Sequence, residues 1–131
     1  MSLVTDQMQV NIAHDIGQVL QVALTPASLA LNTSVGAGGS SVSQTTLTNG
    51  YKNFAFGITS TQAGSVSIQR YLDQAATIPQ GAAITGTLTA NTAATVNSSD
   101  SVPHQSLIIT VNNSSGSTAT LSNCLFLLQA S

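Results

Sequence analysis

A chain of 131 residues is long enough for one domain with a core of its own. Only 5% of its residues are charged, against about a quarter in ordinary globular chains. With two basic residues, Lys52 and Arg70, it cannot neutralise the several phosphates that nucleic-acid binding requires. The net charge is −2, and serine, threonine, asparagine and glutamine take the place of the missing charges. Disorder pairs low hydrophobicity with high net charge, which is not the case here. A nearly neutral surface rich in hydroxyls and amides keeps copies from repelling one another, and so suits a protein that resides in an assembly.

The opening "MSLVTDQMQV" has neither a basic n-region nor an apolar h-region, so no secretory signal is expected. Met8, Ile12, Ile16 and Leu20 repeat every four residues, a helical spacing, with Thr5 or Asp6 as a possible cap. Residues 1–17 therefore read as an N-terminal arm or short helix. A strand is expected over 18–25, ending at Pro26, and residues 18–131 form a β-sandwich domain. "SVGAGGSS", residues 34–41, reads as a glycine-serine loop. Its glycines fit no dinucleotide-binding fingerprint, and no Gly-Lys-Ser/Thr follows to hold a phosphate.

From Tyr51 onward the period is two. "YKNFAFGIT" sets Phe54, Phe56 and Ile58 on one face, and "SVSIQRY" sets Val66 and Ile68 on one face. The pair reads as adjacent antiparallel strands around Gly64. "AITGTLTA", "SLIITVNN" and "TATLSNCLFLLQ" continue the pattern, the last apolar on both faces at its end. Seven to eight strands at short, turn-marked spacing predict an all-β antiparallel sandwich of jelly-roll type. Its expected core includes Leu88, Leu107, Ile109, Val111, Leu121 and Leu125 besides the residues of the two central runs.

Little chemistry is visible. Cys124 has no partner cysteine and lies in an apolar run, where a buried inert thiol is expected. His14, His104 and Cys124 are far apart without metal-ligand spacing, and the four aspartates are scattered. No nucleophile–base pair is apparent, and the expectation is a non-enzyme without metal or cofactor. No apolar run approaches the length of a membrane span. Arg70 closes its strand on the face of Val66 and Ile68, within reach of Asp73 across the turn or of an acid on a neighbouring chain. It reads as a strand-end ion pair or an interface arginine. Sugar recognition is the rival reading, with Tyr51 and Tyr71 as the exposed rings beside abundant amides.

The stretches "YKNFAFGITSTQAGSVSIQRYLD", "IPQGAAITGTLTANTAATVN" and "LIITVNNSSGSTATLSNCLFLLQ" resemble small all-β virion proteins of tailed phages. Among these the likeness is to capsid decoration (cement) proteins, and it covers residues 18–131 in pattern and composition. The resemblance implies a structural virion protein made in the host cytoplasm. It also implies a homo-oligomer, in the form of a trimer, bound to the major capsid protein or another virion protein, and it carries over no functional residues. Val4, Met8, Ile12, Ile16 and Arg70 are then the expected subunit or capsid interface. The alternative for the arm is that it closes one end of its own sandwich. The alternative function is a carbohydrate-binding β-sandwich module of a tail or surface fibre.

Overall fold

The computed structural model describes residues 19–23 and 25–129. The arm with Val4, Met8, Ile12 and Ile16 lies outside the described residues. The remainder is all-β: β1 (Val19–Ala23), β2 (Ser34–Val35), β3 (Ser40–Val42), β4 (Thr46–Leu47), β5 (Asn53–Ser60), β6 (Gly64–Tyr71), β7 (Ile84–Leu88), β8 (Thr92–Asn97), β9 (Ser106–Asn113) and β10 (Ala119–Gln129). One turn of 3-10 helix, Pro26–Leu29, follows β1, capped by the Thr25 side chain on the Ser28 amide.

Two antiparallel sheets face each other. Sheet I runs β1-β10-β5-β8 with β2 also on β10, and sheet II runs β3-β9-β6-β7 with β4 also on β9. Period-two alternation supplies the inner faces. Phe54, Phe56 and Ile58 from β5 meet Val66 and Ile68 from β6 and Leu107, Ile109 and Val111 from β9 in a single core. Phe126 packs between Phe54 and Phe56, its ring centroid 6.3 and 6.4 Å from theirs. The expected sandwich is present, with ten short strands among the described residues.

Four expectations need correction. β5 and β6 are not hydrogen-bonded neighbours: the Thr61–Ala63 connection carries the chain from sheet I to sheet II. A strand with one apolar face can bury it from either sheet, so periodicity cannot choose. The connection is tightened by Ser60, whose hydroxyl donates to the Gln62 carbonyl and accepts from its amide. The glycine-serine stretch is not all loop, because Ser34–Val35 pairs with β10 and Ser40–Val42 with β9.

Leu125 faces outward, half-buried, instead of joining the core. The register of β10 on β5 shifts between Ser122 and Leu125, and Asn123 takes a left-handed φ of 51° at the bulge. The inner face therefore passes from Ala119 and Leu121 to Cys124, Phe126 and Leu128. Finally, Tyr51 is buried at 7% exposure. Asn49 and Gly50, both at positive φ, turn the chain so that the Tyr51 amide bonds the Thr48 carbonyl, and the ring enters the core.

Candidate functional site

The ends of the sandwich differ. At one end, where β9 finishes and β6 begins, Asn113 is buried and fully used. Its Nδ2 donates to the carbonyls of Val35 (3.0 Å), Gly36 (3.2 Å) and Ser117 (2.7 Å), while Oδ1 accepts from the Ser115 amide at 3.0 Å. The opposite end carries the Arg70–Asp100 ion pair and two concavities.

There the β8–β9 loop, residues 98–105, bridges the two sheets. On sheet I, the Ser98 amide donates to the Phe54 carbonyl at 3.0 Å and the Ser101 hydroxyl to Asn53 Oδ1 at 2.8 Å. On the sheet II side, Asp100 Oδ1 accepts from Arg70 Nη1 in an ion pair. Arg70 is buried, 4% exposed, on the inner face at the end of β6. Its partner is Asp100 and not Asp73. Asp73 is occupied locally, accepting from the Thr77 side chain and from the Thr77 and Ile78 amides, so it folds its own loop. These bonds, the Thr77 hydroxyl first, hold the Asp73 carboxyl below the usual carboxylate range.

The Arg70 pair is asymmetric. The Asp100 side chain is 48% exposed, and the Arg70 bond, aided by the Val102 amide, lowers its pKa. Arg70 Nε, by contrast, is buried without an acceptor. His104, buried nearby in the same loop, holds the Val102 carbonyl through Nδ1 at 2.9 Å, and its Nε2 is likewise buried without a partner. Desolvation pushes the His104 pKa down, with the Arg70 charge acting in the same sense. An orphan buried polar atom costs about 1–3 kcal/mol. The Asp100 side of the pair is open to water, which screens its attraction to Arg70. The cluster thus combines a screened ion pair with two unpartnered buried atoms.

Two concavities flank the β8–β9 loop. A trough of about 330 Å³ lies on the outer face of sheet I, with Ala55 and Leu127 at its floor and Asn53, Asn97, Ser98 and Gln129 around it. Among the described residues, no charged side chain lines it. A cavity of about 350 Å³ lies on the other side, over Arg70 and Asp100, and is walled by Gly81, Ala82, Ala83 and Ser99. Tyr71 is half-buried on the outer face of sheet II. Large apolar side chains are exposed beyond it: Leu72 and Ile78, joined by the Leu72 amide on the Ile78 carbonyl, and Leu47 on β4.

Among the described residues, no three His, Cys, Asp or Glu are grouped to hold a metal, and no helix is long and apolar enough to cross a membrane. Cys124 is buried in the core, and desolvation raises its pKa to about 11. Sequence reasoning singled out Arg70 but missed Asp100 and His104, which lie 30 or more positions away with no local spacing to mark them. It also missed Asn97, whose alternation on β8 does mark it as outward-facing.

No family model matches the chain, and no curated protein matches it. Its fold is similar to that of the PBSX exported protein XepA, at 8% identity and a TM-score of 0.57. That match covers 86% of this chain and 37% of that one, so the chain spans little more than a third of XepA's length. The C-terminal CBM6 of LamC from Zobellia galactanivorans is 12% identical over 84% of this chain and 98% of its own, with a TM-score of 0.49. CBM29_1, a family 29 carbohydrate binding module from Piromyces equi, is 11% identical over 88% and 91%, with a TM-score of 0.48. At 8% identity the likeness to XepA is one of fold.

Proposed function

We propose that this chain is a non-catalytic β-sandwich module that recognises a neutral glycan through the end where β5 begins. The observation that supports it is the sheet I trough. A sugar offers an apolar C–H face and a rim of hydroxyls, and is best met by an uncharged concavity with an apolar floor and convergent amides. Ala55 and Leu127 supply the floor, while Asn53 and Asn97 supply the amides. Asn53 is already positioned by Ser101, so it enters binding without ordering its side chain. Tyr51 is not part of the surface, and Phe54, the aromatic residue that borders the trough among the described residues, turns its ring into the core. Affinity is therefore expected in the range of roughly 1 mM, corresponding to about 4 kcal/mol.

Titration of the labelled protein with neutral oligosaccharides, followed by amide NMR shifts, tests this reading. Shifts at 53–55, 97–98 and 127 that vanish in Asn97→Ala support it. A panel of neutral glycans that moves no resonance removes it. Tyr51→Ala, in contrast, is expected to unfold the domain, because the ring belongs to the core.

The structural virion reading has its own observation, the exposed Leu47, Leu72 and Ile78 close to Tyr71. Exposed apolar side chains gathered at one end suit contact with a protein surface. On that reading the module decorates a capsid as a homotrimer, with Val4, Met8, Ile12 and Ile16 toward the neighbouring subunit. Loss of head binding on deleting residues 1–12, or in Ile78→Ser, with the fold intact, is the outcome that favours it.

A further inference from the structure

Arg70 is the chain's one arginine, and the fold surrounds it without using it fully. It lines the cavity of about 350 Å³ while its Nε stays buried without an acceptor. Its charge is matched by one carboxylate, Asp100, which stands half-exposed at the same cavity. Asp100 Oδ1 accepts hydrogen bonds from Arg70 Nη1 and from the Val102 amide at 3.4 Å, and Oδ2 has no hydrogen bond among the described residues. Nε itself is out of a ligand's reach, so the donors the cavity can offer are those of the guanidinium's outer nitrogens, beside the free acceptor of Asp100 and with no net charge. Gly81, Ala82 and Ala83 keep its wall small, and a Cβ added at Gly81 would meet nothing within 4 Å. Gln80 is committed elsewhere, its Nε2 donating to the Pro103 carbonyl at 2.8 Å.

Adjacent hydroxyls match that arrangement. Each can accept a hydrogen bond from a guanidinium and donate one to a carboxylate. A carboxylate ligand does not fit, since it would face Asp100 across the same opening. We propose that the cavity over Arg70 and Asp100 binds two neighbouring hydroxyls of a neutral sugar residue, Arg70 donating to one oxygen and Asp100 Oδ2 accepting from the next. This rests on the glycan-binding reading and extends it. Ser98 borders the trough and Ser99 the cavity, so one oligosaccharide laid over the loop occupies both.

The test is calorimetric titration of the full chain with mannohexaose, xylohexaose and a hexasaccharide of galacturonic acid, with NMR shifts to locate the contact. The variants are Asp100→Asn, Arg70→Met and Asn97→Ala. A neutral hexasaccharide is expected to shift resonances at 81–84 and 99–102 as well as those of the trough. Asp100→Asn, whose amide keeps the shape but weakens the acceptor, should lose tenfold or more in affinity, and Arg70→Met at least as much. If Arg70→Met fails to fold, Asp100→Asn decides alone. Neutral binding confined to the trough and unchanged in Asp100→Asn overturns the inference and leaves the glycan reading standing. Binding of the acidic hexasaccharide that strengthens in Asp100→Asn overturns the ligand class. Absence of binding by either neutral sugar, wild-type included, overturns both the inference and the reading beneath it.

Discussion

The Asn113 end and the Arg70 end of this sandwich are built from the same central strands, yet one is closed and the other is left open. Asn113 is buried and its side-chain bonds tie one turn to the next, so the β9–β10 turn, the 34–39 segment and β9 become one unit. At the Arg70 end two buried polar atoms lack partners and two concavities open on either side of a loop. Satisfied buried polar groups specify structure, whereas unsatisfied ones persist where something other than stability retains them. The closed end therefore holds the fold, and the open end is where recognition is to be sought.

The largest effect is expected at the closed end from Gly64→Ala. A Cβ at Gly64 would lie 1.9 Å from the Asn112 carbonyl oxygen, a backbone atom that cannot rotate away. Moving it breaks the β6–β9 ladder where Gly64 pairs with Asn113. A loss of about 3 kcal/mol is expected from such overpacking, read as a lowered urea midpoint at unchanged slope. Asn113→Ala comes next. It leaves three carbonyls and the Ser115 amide without their partner, and about 2 kcal/mol should be lost, with faster hydrogen exchange at Ser115.

At the open end Arg70→Met should behave differently. The substitution removes an unsatisfied guanidinium, fills the same space with an apolar chain beside Ile68 and Leu107, and leaves Asp100 free to hydrate. Stability within about 1 kcal/mol of the unmodified protein, on either side, is the expected outcome. A loss as large as that of the Asn113 variant would erase the contrast between the ends.

The same contrast explains what could be read from the sequence. The central strands β5, β6 and β9 alternate over most of their length, so Phe56, Ile68 and Ile109 could be placed in the core from period alone. Sheet membership could not, because β5 and β6 show identical patterns from opposite sheets. β2 and β3 are two and three residues of serine and valine, strands only because β10 and β9 offer them edges. The bulge at Asn123 changed which residues of β10 face inward, whereas unbroken alternation from Leu121 carries Asn123 and Leu125 to the core face. The Arg70–Asp100 pair is closed by a loop that crosses between sheets, so proximity in sequence pointed to Asp73 instead. Regular packing was legible because it is periodic, and the open end was not, since loops assemble it.

The smallest effect concerns acid and, among the described residues, falls on the open end. His104 has a folded pKa below its ordinary value of 6.5, because burial disfavours the imidazolium beside the Arg70 charge. As pH falls below about 6.5, the unfolded chain takes a proton at this position that the folded chain refuses, so the unfolded state binds more protons and stability declines. The decline ends once pH passes below the folded pKa. Asp100 and Asp73 act with the same sign in a lower window. Their depressed pKa values give stability that is complete above the ordinary carboxylate value of 3.8 and is lost as pH drops through the folded values. Urea titrations between pH 7.5 and 3 should therefore show two successive declines. His104→Asn, whose side-chain amide can still donate to the Val102 carbonyl, should remove the His104 contribution to the first and leave the second. A first decline of the same size in His104→Asn would place its origin at another group and detach His104 from the acid response of this end.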